Sequence, residues 1–111
     1  MKKIILGAFE ELVLLTIGAL DENAYGVTIK VELEKTLSKP ISIGALYAAL
    51  QRLEEKNWVS SRVGGITETQ GGRRKQYYDI TKEGVQTLEE VRSMRNDLFD
   101  QLPSHKIQWI K

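Results

Sequence analysis

The segment SIGALYAALQRLEEKNWVSSRVGGITETQGGRRKQYYDITKEG, residues 42–84, decides the fold of this 111-residue chain. Ser42 is a helix-capping residue, and Ile43, Leu46, Ala49, Leu50 and Leu53 then recur at the spacing of one helix face. Asn57 suits the left-handed residue that ends such a helix. Trp58, Val59 and Val63 mix with Ser60, Ser61 and Arg62 as in a half-buried strand, and Tyr77, Tyr78 and Ile80 supply its partner. Between these runs lies a loop, residues 64–76, with two glycine pairs and three adjacent cations, Arg73, Arg74 and Lys75. Thr81 caps a further helix, with Glu83 beside its positive N-terminus. A helix, a hairpin with a basic tip and a new helix follow one another in the order of a winged helix-turn-helix.

Working outward, Phe9, Leu12, Val13, Ile17 and Leu20 fall at helical spacing, with Leu14 and Leu15 beside them, so a first helix over about residues 6–20 is apolar on more than one side. A central position, with some contact to a partner chain, is expected for it. Asn23 is placed to cap a second helix whose Tyr25, Ile29, Leu33 and Leu37 share a face, and Pro40 stops it. Downstream of Thr81, Val85, Leu88, Val91, Met94 or Arg95, Leu98 and Leu102 make a seam like that of a short coiled coil, interrupted by charge near Arg95. A small winged domain covers only part of such a helix. Pairing with the equivalent helix and the first helix of a second subunit is therefore expected, through Leu12, Leu88, Val91, Arg95, Leu98 and Leu102. Pro103 ends the seam, and residues 104–111 carry no secondary-structure signal. The expected class is mainly α with a small β-hairpin: a winged helix over residues 1–80, a dimerisation helix over 81–103 and a tail over 104–111.

Composition narrows the function classes. Hydrophobic residues make up 41% of the chain and charged residues 28%, as in an ordinary soluble domain. The absence of cysteine excludes disulfides, thiolate metal sites and a cysteine nucleophile, and the cytoplasm is the expected compartment. The apolar run over residues 12–20 is too short to span a bilayer, and the acids after it do not suit a signal peptide, so no membrane is expected among the partners. Catalysis is poorly supported. His105 is the sole histidine and lies in the tail, no metal-ligand spacing exists, and neither glycine pair leads into a Lys-Ser or Lys-Thr phosphate loop, so no cofactor is expected. The carboxylate pairs Glu10-Glu11, Glu54-Glu55 and Glu89-Glu90 point in different directions along a helix and are read as solvated surface.

Net charge is only +1, but it is segregated. Residues 52–82 carry seven cations against four acids, whereas residues 83–100 carry five acids against two arginines. On the third helix, the side opposite the apolar stripe bears Gly44, Ala45, Ala48, Gln51 and Arg52. Small residues there imply a close approach, either to a major groove or to another protein element. Gln can pair with adenine and Arg with guanine or phosphate. Adjacent cations at the hairpin tip repel one another and gain most from a polyanion.

Four blocks, LGAFEELVLLTIGAL (6–20), AYGVTI (24–29), ISIGALYAALQRLEEKNWVSSR (41–62) and GGRRKQYYDITKEG (71–84), resemble the PadR family of bacterial transcriptional regulators in its short form with one C-terminal helix. The resemblance implies a homodimeric, sequence-specific regulator, a repressor, that places one winged helix on each half of an inverted-repeat site in double-stranded DNA. It assigns groove reading to the third helix, here Ser42, Gly44, Ala45, Tyr47, Ala48, Gln51 and Arg52. It assigns backbone contact to the wing, here Gly71, Gly72, Arg73, Arg74 and Lys75. Tyr47 sits at the edge of the stripe, where it can either bond a phosphate or pack as a partly buried tyrosine. Lys2 and Lys3 offer further phosphate contacts. Two departures stand out: Asn57 replaces the family's usual glycine, and the last helix has Phe99 but no tryptophan or tyrosine. A small-molecule effector at the dimer interface fits the family, while the second departure argues against an aromatic sandwich around it. The alternative function class is a winged-helix module that binds a partner protein through the Gly44/Ala48 face and Trp109.

Overall fold

The core is organised by the first helix, α1 (Ala8–Leu20), whose Val13, Leu14 and Ile17 are wholly buried, as its many-sided apolar pattern predicts. The computed structural model describes residues 6–64 and 75–110. Asp21 leaves α1 with φ 54°, and one 3-10 turn, Asp21–Asn23, leads to α2 (Gly26–Leu37). Capping of α2 differs from expectation. Asn23 lies inside the turn, and Tyr25 takes the N-cap position with its N–H donated to Thr28 Oγ1 at 3.0 Å. The Thr28 hydroxyl in turn donates to the Asn23 carbonyl at 2.6 Å, so a side chain inside the helix does the work expected of one before it. Ser38, left-handed at φ 56°, ends α2 two residues before Pro40.

Ser42 caps α3 (Ile43–Glu55) as expected, its Oγ accepting from the Ala45 N–H at 3.3 Å. Leu46, Ala49, Leu50 and Leu53 are buried against α1 and α2, but Ile43, at the edge of the stripe, is exposed. Asn57 adopts φ 63°, the left-handed turn expected of it, and Trp58 is buried immediately after. Strands β1 (Val59–Val63) and β2 (Gln76–Ile80) pair antiparallel, from Val59 opposite Ile80 to Val63 opposite Gln76. Val59 and Tyr78 face the core, while Val63 is exposed near the hairpin's far end. The Tyr78 N–H donates to the Ala24 carbonyl at 2.8 Å, which fixes the hairpin to the start of α2. Each large apolar side chain buried in this cluster contributes about 1.5–3 kcal/mol.

Thr81 begins α4 (Lys82–Asp100) and binds three ways: its Oγ1 accepts from the Gly84 N–H at 2.9 Å and donates to the Asn57 carbonyl at 2.7 Å, and its N–H donates to the Trp58 carbonyl at 3.0 Å. Glycine at 84 permits this docking, because a Cβ there would collide with the Trp58 carbonyl oxygen and approach Ile80 Cγ1 at 2.8 Å. The tail, expected to be irregular, instead forms α5 (Ser104–Ile107) and a 3-10 turn, Gln108–Ile110, in which Lys106 and His105 pack on the Trp109 ring. A helix restarts there because Pro103 supplies a fixed, extended residue just before it. Among the described residues no helix is long and apolar enough to cross a membrane. Substituting Gly84→Ala should lower stability by about 1–3 kcal/mol, the range for overpacking a tight contact, measured as the shift of the urea midpoint.

Candidate nucleic-acid interface

One face of α3 is free of the protein. Ser42, Gly44, Ala45, Tyr47, Ala48, Gln51 and Arg52 are all exposed, so the structure brings this part of the sequence-derived set together on one surface. The strip through Gly44, Ala48 and Gln51 lies opposite the buried stripe, with Glu55 continuing it at the C-terminal end. Its two flanks are held differently. On one side the Tyr47 hydroxyl presses against Gly26 in the first turn of α2, so closely that a Cβ on residue 26 would displace it. Tyr47 is thus half-exposed and locally packed against α2.

On the other flank Arg52 Nε donates to Glu10 Oε2 of α1, and Lys56 Nζ stands 3.8 Å from Glu10 Oε1. This corrects the reading of Glu10-Glu11 as solvated surface. Glu10 is only 9% exposed, and Glu11 pairs with Arg95 of α4 at 2.6 Å. The two carboxylates do point in different directions, but each direction holds a cation from another helix, which no helical periodicity within α1 could reveal.

The turn between α2 and α3 is fixed by Glu34, whose carboxylate accepts from Lys30 Nζ at 2.9 Å and from the Ile41 N–H at 2.8 Å. These bonds, the lysine's first, hold its pKa below the ordinary 4.5. Behind α3, Glu54 accepts from the Ser61 hydroxyl at 2.7 Å and so ties the helix to β1.

The loop end of the hairpin carries an aromatic pair with the start of α2, Tyr77 and Tyr25, edge to face at 5.4 Å. Lys75 Nζ lies 4.3 Å from the Tyr25 ring centre, and the Arg62 guanidinium lies 4.8 Å from that of Tyr77 while also bonding Asp79 at 3.2 Å. Sequence reasoning missed Tyr25 and Arg62 as part of this surface; the one available signal was the alternation that puts Arg62 opposite Tyr77. Lys75 is therefore placed beside α2, whereas Gly71, Gly72, Arg73 and Arg74, like Lys2 and Lys3, lie outside the described residues.

On α4 the expected seam is split. Val91 is 4% exposed and turned into its own subunit, Leu12 and Leu88 are partly buried against the core, and Arg95 is engaged by Glu11. Leu98, 63% exposed, and Leu102 face outward, joined by Val85, Met94 and Phe99. A groove of about 380 Å³ runs between α1 and α4, lined by Glu11, Leu15, Val85, Leu88, Arg92 and Arg95. Among the described residues no three His, Cys, Asp or Glu side chains converge as a metal site would require.

The family model described as the Transcriptional regulator PadR-like family matches residues 13–90. An uncharacterized protein of Lysinibacillus sphaericus is 34% identical over 90 residues, which span 79% of this chain and 78% of that protein. Among solved structures, a PadR family transcriptional regulator from Eggerthella lenta DSM 2243 is 31% identical, with a TM-score of 0.65 over 80% of this chain and 75% of the other. A PadR family transcription regulator from Clostridium difficile R20291 is 26% identical, with a TM-score of 0.69 over 95% and 100%.

Tyr78, 5% exposed beneath α3, offers a probe of this surface. Burial pushes its phenol above the ordinary 10, and the neighbouring Tyr47 and Glu54 add to the shift. A group whose folded pKa is raised contributes stability below its unfolded pKa and loses it as pH rises through the folded value. Ultraviolet titration should therefore show Tyr78 ionising above the ordinary phenol range, with its contribution to stability lost as pH climbs above about 10.

Proposed function

The chain belongs to the PadR-like family of transcriptional regulators, DNA-binding proteins and not enzymes, and from that premise we propose that it acts as a homodimeric repressor on an inverted-repeat operator. The observation that carries the reading is the exposed strip Gly44, Ala48 and Gln51, small enough to let α3 sink into a major groove, with Tyr47 and Arg52 on its flanks. In this proposal Gln51 reads a base edge, Ser42, Gly44, Ala45 and Ala48 allow close approach, and Tyr47 and Arg52 contact the backbone or an adjacent base. Gly71, Gly72, Arg73, Arg74 and Lys75 form the wing that follows the phosphates. The winged helix occupies residues 1–80, α4 within residues 81–103 provides the dimer contact, and the work is done in the cytoplasm. Leu98 of α4 and Leu102 just beyond it, with Val85 and Leu15 along the α1 groove, supply an apolar surface for a second copy. Any effector would enter at that interface, where Phe99 is the only aromatic ring that α4 offers.

Anisotropy titration of the DNA upstream of the protein's own gene, against a shuffled duplex across a salt series, tests the reading. The native fragment should bind tightly, with two chains per site; weak and equal binding to both duplexes would favour a protein partner instead. Replacing Arg73 and Arg74 by Ala should weaken binding to both duplexes and flatten the salt dependence, by roughly 0.9 in the log–log slope for each phosphate that is no longer neutralised. Gln51→Ala should instead change sequence preference, by about 1–3 kcal/mol if the pairing is bidentate. Unchanged affinity and slope in the wing variant would remove the wing from the mechanism.

The dimer has its own test. Leu98→Glu puts a charge on the most open part of the seam, so sedimentation equilibrium should show a shift toward monomer with the circular dichroism spectrum kept. A variant that remains dimeric would place the subunit contact elsewhere.

A further inference from the structure

Glu10 is the most buried acid among the described residues, and its surroundings are unusual for one. It sits on α1, in the core-forming helix, yet the two cations within reach among the described residues, Arg52 on α3 and Lys56 at that helix's C-terminal end, both come from the neighbouring helix. Its Oε2 accepts from Arg52 Nε, while Oε1 is buried and, among the described residues, meets no hydrogen-bond donor, with the Lys56 ammonium at 3.8 Å. Glu10 also lies outside the span, residues 13–90, that the family model matches. A carboxylate buried this far loses much of its hydration and is stabilised by a cation that stays beside it. Arg52 is therefore not free to swing, although half of its side chain remains open to solvent.

We propose that Glu10 is a specificity-determining positioning residue: by holding Arg52 through Nε, it lets the guanidinium meet DNA in one direction and in one register only. The proposal rests on α3 being the DNA-reading helix. A free arginine at the edge of such a helix can follow any phosphate, because its long side chain has many rotamers and phosphates are everywhere along the duplex. An arginine pinned at Nε lacks that freedom, so it bonds well only where the DNA brings the right acceptor to it. Glu10 itself never touches DNA.

Simple electrostatics and positioning predict different outcomes, which makes the inference testable. Glu10→Gln removes a negative charge beside the recognition helix. If charge were all that mattered, the variant would bind every duplex more tightly by a similar factor. Without positioning, the gain falls on non-specific DNA and the ratio of specific to non-specific affinity drops.

The experiment measures Kd for a duplex selected from random DNA by the wild-type protein and for a scrambled duplex, over a salt series, for wild type, Glu10→Gln, Arg52→Ala and the double variant. The specific to non-specific ratio should fall about fivefold or more in Glu10→Gln, the equivalent of one misplaced base contact. The non-specific salt slope should steepen, and the Glu10 change should have no further effect on the ratio once Arg52 is gone. Urea denaturation checks folding. If Glu10→Gln proves unstable, Glu10→Met fills the same space without a charge to desolvate and carries the same test. An unchanged ratio in a folded Glu10 variant overturns the proposal, as does an equal fall in the Arg52→Ala background. If the wild-type protein itself selects no sequence, the DNA-reading role of α3 fails, and the proposal fails with it.

Discussion

The two other helices of the winged domain, strand β2 and the start of α4 take their positions from the burial of α1. Val13, Leu14 and Ile17 are wholly shielded from water, and their close packing resists rotation or sliding of the helix, although Leu15 on its other side is exposed. Adjacent residues on a helix point about 100° apart, and α1 uses that offset at its first turn. Glu10 reaches α3 through Arg52, and Glu11 reaches α4 through Arg95. The surface proposed to read DNA and the helix proposed to join two subunits are thus referred to the same rigid rod. Any displacement of α4 along α1 has to disturb one carboxylate whose neighbour holds α3.

The second fixed point lies at the start of α4. Thr81 and Gly84 dock that helix onto the backbone of Asn57 and Trp58, the turn that ends α3, with no long side chain between them. Direct backbone contact leaves little tolerance, since a single methyl group on residue 84 cannot be accommodated. The angle at which α4 leaves the winged domain is accordingly set by main-chain geometry. In a two-fold dimer built through α4 that angle would determine how far apart the two α3 helices lie, and half-site spacing on DNA is a matter of such distances.

Much of this is legible in the sequence, because the strongest signals are local and periodic. The α3 stripe, the Ser42 and Thr81 caps and the left-handed Asn57 each depend on a few neighbouring residues, and each is found where the pattern places it. The features that differ from expectation depend on partners distant in sequence or on bonds that join adjacent elements. Asn23 is drawn into the 3-10 turn, and the Thr28 hydroxyl joins that turn to α2 by accepting from the Tyr25 N–H and donating to the Asn23 carbonyl. The α4 seam reads as one surface, but a regular three-four pattern is equally satisfied by residues facing the same subunit, such as Val91, and by those facing away, such as Leu98. Glu10 and Glu11 resemble solvent-facing acids in the sequence, since their cations are 42 and 84 residues away. The exposed face of α3 is legible as a surface, but what holds its flanks is not.

Near neutrality of the whole chain does not oppose a polyanionic partner, because charges separated by more than about 10 Å are largely screened at ordinary salt. What matters is how the cations near the surface are held. At the loop end of the hairpin Lys75 and Arg62 rest on tyrosine rings, contacts worth about 0.5–1 kcal/mol at exposed sites. The Arg62–Asp79 pair, open to water on both sides, is of the same modest strength. A ring face carries no net charge, so it orients a cation without neutralising it. A phosphate approaching the hairpin would meet Lys75 already directed by Tyr25 and would have only a weak interaction to outweigh. The same chain thus uses two kinds of restraint on its basic residues: a loose aromatic one along the hairpin, suited to any phosphate, and a tight ionic one at Arg52, suited to a single geometry.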